Sequence, residues 1–255
     1  MPTFGPAAVR GMFDDMHDIA TQLAMKWARL GKNEAFVPAE DFTRLAMDTL
    51  ALCSMDYRFN SFYTRNTHPF LEAMARTLLT SRYRARRIDS PIVRFFYQKE
   101  TKQWFEDIAF LRKISDDMIR NRAKNPSPRK DLIAAMLSHK DPMTGKTMTD
   151  KSTTDNALSF LVAGHETTAG LLSFTLYYLI KHPYVYEKAQ KDIDQVVGES
   201  RITVDHLQKL PYIEAVRNKM RRLSLGCADL NRSYVRRSVW SHLYLHSRCA
   251  LMRIP

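Results

Sequence analysis

The chain has 255 residues, with 39 Lys and Arg against 27 Asp and Glu, a formal net charge of +12 and three cysteines. That length suffices for a hydrophobic core, and so few cysteines exclude a disulfide-stapled framework and fit a reducing compartment. A charge of +12 suggests a nucleic-acid or anionic-membrane partner, but its distribution argues against that reading: residues 217–255 hold nine Lys or Arg against the single acid Asp229, and the preceding 216 residues are nearly balanced.

Residues 1–20 contain no continuous apolar stretch, hence no secretory signal. From Val9 to Leu30 apolar residues recur at helical spacing (Val9, Met12, Phe13, Met16, Ile19, Leu23, Trp27, Leu30), which predicts one amphipathic helix. Phe42, Leu45, Leu52 and Cys53 predict a second, on which Cys53 is read as a core thiol. Thr67 is the expected N-cap of a third, with Pro69 in its first turn. That helix runs toward Arg87 and carries Arg82, Arg84, Arg86 and Arg87, read as a solvated face rather than a docking patch.

A fourth helix is expected over residues 97–123, with Trp104, Ile108, Leu111, Ile114 and Met118 on one side. Proline chemistry at Asn125-Pro126-Ser127-Pro128 ends it. Asp131 to Ser138 makes a short helix and Asp141 to Gly145 a turn. A long helix runs from Asp150 to Lys181, and Pro183 starts another that Gly198 ends. No sustained strand pattern and no repeat occur, so the fold class is mainly α.

The long helix carries the most informative stretch, Ala163-Gly164-His165-Glu166-Thr167-Thr168, in an apolar context that reads as buried. Gly in mid-helix costs about 1 kcal/mol relative to Ala, and an unpaired buried Glu166 several more. Local rules broken together point to a functional or strained site; the bland alternative is a kinked core helix. His165-Glu166 also begins a His-Glu-x-x-His zinc helix, but position 169 is Ala, so the second ligand is missing. Ala157 to Ile180 is long enough to span a bilayer, yet the His-Glu pair near its middle argues against it.

Ala163, Gly164, Glu166 and Thr167 match the pattern Ala/Gly-Gly-x-Asp/Glu-Thr, flanked by Phe160-Leu161-Val162 and by Ala169-Gly170-Leu171-Leu172-Ser173-Phe174. This resembles the oxygen-activating helix of a cytochrome P-450, a haem-thiolate monooxygenase. Leu30-Gly31, Asp41 to Leu45, Tyr57 to Tyr63 and His68-Pro69-Phe70 extend the likeness to about residues 3–216. They are similar to the self-sufficient fatty-acid-hydroxylating branch, whose haem domain is fused to a flavin reductase. The resemblance implies an incomplete cytochrome P-450 helical fold with a long central oxygen-binding helix. Ala163 and Gly164 are then the cofactor-binding residues, Ala163 touching the haem face and Gly164 letting the backbone approach dioxygen. Thr167 and Glu166 are the catalytic residues: Thr167 bonds back to the Ala163 carbonyl and positions a proton that Glu166 supplies from solvent. Phe160 and Val162 line the pocket or belong to the core. The third and fourth helices roof the substrate channel.

The family's haem-ligand loop, Phe-x-x-Gly-x-Arg-x-Cys-x-Gly, is absent; Cys53, Cys227 and Cys249 all lack its glycines, so no metal ligand is assigned. Lys219 stands where the family's Glu-x-x-Arg has its acid, with Arg222 in the arginine place, and a Lys cannot accept from a guanidinium. Glu214-Ala215-Val216-Arg217 spells the same motif five residues early and is read as chance. The expected division is therefore a partial haem domain over 1–216, its N-terminal part missing, and a basic tail over 217–255 that leaves the family pattern and is disordered. A frameshift or misread intron accounts for the tail; a splice variant with an interaction tail is the alternative.

What the resemblance implies about function has two sides. By descent the chain inserts one oxygen atom from dioxygen into a fatty-acid C–H bond, with haem as cofactor and electrons from NADPH delivered by an FAD/FMN reductase. As written it lacks the sulfur ligand and is expected to be inactive and marginally stable. The competing reading is a non-enzymatic helical product or basic-tail interaction protein. No nucleic acid and no transmembrane anchor are expected, and the location is cytoplasmic.

Overall fold

Proline and short polar caps set where the helices begin. A computed structural model describes residues 5–31, 34–64, 66–85, 90, 95–140 and 143–229, with side chains up to Leu223. Ten α-helices lie among them: α1 (Pro6–Gly11), α2 (Phe13–Ala28), α3 (Pro38–Met55), α4 (Pro69–Arg84), α5 (Gln98–Lys124), α6 (Leu132–Ser138), α7 (Asp150–Lys181), α8 (Pro183–Val196), α9 (Val204–Leu207) and α10 (Pro211–Asp229). Among the described residues there is no strand. An isolated antiparallel bridge joins Lys140 and Thr147 around Gly145, whose φ is +67°. Five of these helices start at proline, the residue whose missing N–H costs nothing in the first turn. Gly198, at φ +59°, donates its N–H to the Asp194 carbonyl and closes the end of α8, as a left-handed glycine can.

Two helix starts differ from expectation. The segment from Val9 onward is two helices rather than one: Met12 adopts φ −88°, ψ −2° as a turn, and α2 stops at Ala28. The cap of α4 is His68, not Thr67; its Nδ1 accepts the Phe70 N–H at 3.2 Å. Sequence reasoning favours Thr because its hydroxyl is the commoner cap, but an imidazole nitrogen held against Phe59, ring centroids 5.0 Å apart, does the same work.

The chain divides into two units, and the hydrophobic core cluster lies in the first. In the first, residues 47–164, Met47, Ala51 and Met55 of α3 pack with Phe70, Leu71 and Met74 of α4. Leu111 and Met118 of α5, Leu132 and Ile133 of α6, and Ala157 and Leu161 of α7 complete that core. Arg76 of α4 holds Asp107 of α5 through two bonds of 3.0 and 2.8 Å. Arg84 donates to Thr101 at 2.9 Å and lies 4.7 Å over the Trp104 ring. Arg84 is thus part of the α4–α5 packing rather than of a solvated face; Arg86 and Arg87 lie outside the described residues.

In the second unit, within residues 4–46 and 165–255, Ile19 and Leu23 of α2 are buried, as are Ala39, Phe42 and Ala46 of α3. Asp41 receives the Trp27 indole N–H at 2.7 Å and a short bond from Lys26, which fixes α2 on the start of α3. Ala189 of α8 and Met220 of α10 are buried, and Lys188 sits 4.7 Å over the Tyr212 ring. α10 runs through position 216 without a break. The side chain of Cys227, Cys249 and everything from 230 onward lie outside the described residues. No described helix, α7 included, is long and apolar enough to cross a membrane.

His68 also gives this fold a titration. Burial, opposed by the nearby Asp48 carboxylate, lowers its pKa below the usual 6.5. The unfolded chain therefore binds this proton first, and stability is full above about pH 6.5 and falls as pH drops toward the lower folded value. Urea midpoints between about pH 8 and 5 are expected to decline through this window. His68→Asn, which keeps a capping acceptor without a titrating ring, should flatten that part of the slope; an unchanged slope contradicts the assignment.

Candidate active site

α7 is continuous over its 32 residues, and its burial follows steps of four. Thr153, Ala157, Leu161, His165, Ala169 and Ser173 are all buried. Residues four apart form a row slightly inclined to the helix axis, so this buried row winds along α7 and leaves another face open. Phe160 (40% exposed), Ala163, Glu166 and Thr167 occupy the open face. The spacing 160, 163, 167 puts those three side chains on neighbouring turns of one side. Glu166 is exposed, so the desolvation cost expected of a buried acid does not arise. The motif is thus split: Ala163, Glu166, Thr167 and Thr168 are exposed, His165 is buried and Gly164 is half-buried.

Hydroxyls bonded back to the carbonyl four residues earlier recur along this helix. Thr154 bonds Asp150, Ser159 bonds Asp155, Ser173 bonds Ala169 and Thr175 bonds Leu171, at 3.0, 2.7, 2.7 and 2.7 Å. Such bonding is thus a property of α7 as a whole, and the motif is set apart by its exposure rather than by its hydroxyls. The first half of the helix is tied to α5 by Arg112 to Asp155 at 2.8 Å and by a short Thr154–Asp116 bond.

Gly164 has a packing reason that sequence reading does not supply. A Cβ built on it would lie 2.6 Å from Leu50 Cδ2 and 3.2 Å from Leu50 Cδ1. The equivalent position on Gly170, the other glycine of α7, has nothing within 4 Å. Leu50, on α3, carries no motif, and its partnership with Gly164 is tertiary, so no sequence signal points to it. Val162 packs at the margin of the first unit's core, whereas Phe160 faces outward.

The family model for cytochrome P450 matches residues 1–233. The chain belongs to the cytochrome P450 family. It is 49% identical over 224 residues to a bifunctional cytochrome P450/NADPH–P450 reductase of Aspergillus oryzae, a match that covers 88% of this chain and 20% of that protein. The corresponding protein of Fusarium oxysporum is 48% identical over 225 residues, covering 88% and 21%. A self-sufficient cytochrome P450 monooxygenase of Exserohilum turcicum is 47% identical over 223 residues, covering 88% and 21%. The chain spans about a fifth of the length of the curated relatives it matches. The family is one of haem proteins, and this chain corresponds to the P450 part of the fused relatives.

The exposed positions of α7 carry a small methyl at Ala163, an aromatic ring at Phe160, a hydroxyl at Thr167 and a carboxylate at Glu166. An axial sulfur is another matter. Cys53 is 7% exposed within its unit, and among the described residues no three of His, Cys, Asp and Glu cluster to hold a metal. Among the described side chains the one cysteine is thus Cys53, and it is buried.

Proposed function

We propose that Phe160, Ala163, Gly164, Glu166 and Thr167 form the oxygen-side wall of a fatty-acid monooxygenase, and that the 255-residue polypeptide alone does not complete that site. The observation that carries the reading is the open stripe on α7, where an apolar edge, a methyl, a hydroxyl and a carboxylate share one exposed face of a helix whose other side carries a buried row. Bound haem, in this family, supplies the activation of dioxygen. Ala163 and the Gly164 backbone abut the ring, Phe160 excludes water beside it, the Thr167 hydroxyl holds a proton at the wall, and Glu166 exchanges that proton with solvent. Electrons come from NADPH through a flavin reductase; the fused relatives are named as NADPH–P450 reductases. None of the three cysteines stands in a loop of the family's ligand pattern.

One experiment tests both halves. Residues 1–255 and a chimera, in which residues 5–216 replace the matching segment of the Aspergillus oryzae relative, are expressed with haem, reduced and exposed to carbon monoxide. The chimera is expected to give the red-shifted thiolate Soret band and to hydroxylate a fatty acid, and the 255-residue chain to give no such band. In the chimera Thr167→Ala is expected to lower product formed per NADPH by roughly 10²-fold, the low end of a proton-transfer contribution. A thiolate band from the 255-residue chain overturns the incompetence, and an unaffected Thr167→Ala chimera overturns the assignment of the wall.

A further inference from the structure

We infer that Leu50 is a positioning residue: it seats in the notch left by the missing side chain of Gly164 and sets how deeply the motif segment of α7 lies on α3. The inference rests on the proposed wall for what α7 carries, but the contact itself is independent of any cofactor. The virtual Cβ of Gly164 meets Leu50 Cδ2 at 2.6 Å, Cδ1 at 3.2 Å and Cγ at 3.5 Å. Three atoms of one side chain crowd the position from the α3 side, so a Cβ there requires Leu50 to turn or the helices to part. Leu50 packs against the core formed by Met47 and Ala51 of the same helix, both fully buried, which opposes the turn.

The backbone that carries Leu50 is anchored. Asp48, 1% exposed, takes the Ser61 N–H at 2.8 Å and the Ser61 hydroxyl at 2.7 Å, which locks α3 to the chain that follows it. The Ser54 hydroxyl donates to the Leu50 carbonyl at 2.5 Å. On the other side, Leu161 of α7 is fully buried one turn before Gly164. Leu50 seated in the notch of Gly164 holds the backbone at 163–164 close to α3, which sets the height of Ala163 on the open face. The glycine of the motif is accordingly needed for helix approach on the α3 side, whatever it also permits on the face where dioxygen would come.

The test is a size-exchange cycle on the full 255-residue chain without porphyrin, so that failure of the wall assignment leaves its outcome untouched. Gly164→Ala is expected to lower the thermal midpoint by about 3–6 °C through overpacking. In the Leu50→Ala background the same change should raise it by about 2–4 °C, because an unobstructed Ala favours the helix. Gly170→Ala, with open space at its Cβ, should raise it in both backgrounds. Hydrogen exchange at a single low temperature provides the local readout: Gly164→Ala should speed exchange of the peptide over 158–168 about tenfold with no change over α4, and the double variant should restore it. The same sign of effect in both Leu50 backgrounds, or faster exchange spread equally over α4 and α7, overturns the inference.

Discussion

Arg122→Met is expected to cost about 3–5 kcal/mol near neutral pH, because it leaves a buried carboxylate without its cation. The Arg122 side chain is 7% exposed and serves three acceptors. Nη1 reaches Asp56 at 2.8 Å, and Nη2 reaches Asp131 at 2.7 Å and the Arg129 carbonyl at 3.2 Å. Asp131 is itself 3% exposed and caps α6 by accepting the Ala134 N–H at 2.9 Å. The end of α5, the turn after α3 and the start of α6 therefore meet at one guanidinium. Burial already raises the Asp131 pKa, with the Ala134 N–H and Arg122 pulling it back. Without Arg122 it should rise further. The folded state then binds the proton more readily than the unfolded chain, so acidification relieves the loss. Denaturant midpoints of Arg122→Met should lie far below wild type at about pH 7.5 and approach it toward about pH 5. Adding Asp131→Asn, which keeps a capping oxygen but no charge, should recover much of the loss at the higher pH. Arg122→Lys should rescue poorly, since a single ammonium does not reproduce the planar fork. A cost within about 0.5 kcal/mol would mark Arg122 as an ordinary surface residue.

That network shows where sequence reading stops. Asp131 as a cap was legible, since Asp before an apolar run is a local signal. The cation that makes its burial tolerable comes from another helix, and Asp56 from beyond α3, at φ +52° in a conformation that non-glycine residues seldom adopt. Nothing within a few residues of Arg122 predicts that three distant groups converge on it. The helices themselves were legible because proline, capping acids and glycine act locally: Pro183, Gly198 and the bounds of α7 stand where the pattern placed them. Met12 and His68 were not, the first because its apolar spacing continues straight through the turn, the second because imidazole is a rare cap.

The motif is legible in the sequence, but which of its residues are exposed is not. Ala163, Glu166 and Thr167 lie on an open face of α7, whereas His165 between them is buried. Hydropathy averages over a helix circumference; only the phase of the buried row, set by α3, α5 and α6 in the first unit, decides which side faces out. Gly164 carries the same lesson, since its neighbour Leu50 is ordinary in every local respect and matters through contact alone.

Phe70→Ala is expected to cost about 3–5 kcal/mol, a large part of the roughly 5–15 kcal/mol that holds a typical domain folded. Phe70 is fully buried directly after the proline that opens α4. Its ring centroid is 5.1 Å from that of Phe59, which in turn lies 4.9 Å from Tyr57 and 5.0 Å from His68. Truncation would lose the ring's burial and leave a cavity, and also forfeit an aromatic pair worth about 0.5–1.5 kcal/mol. It would further loosen the packing that holds the His68 cap, so the pH slope through the His68 window should weaken in the same variant. Phe96 is the informative control: a second phenylalanine, 75% exposed, whose change to Ala should stay within about 0.5 kcal/mol. The two are the same residue type, and they differ in what the rest of the chain brings to them. Urea unfolding of both variants measures the contrast directly, and equal midpoints would remove Phe70 from the centre of the first unit's core.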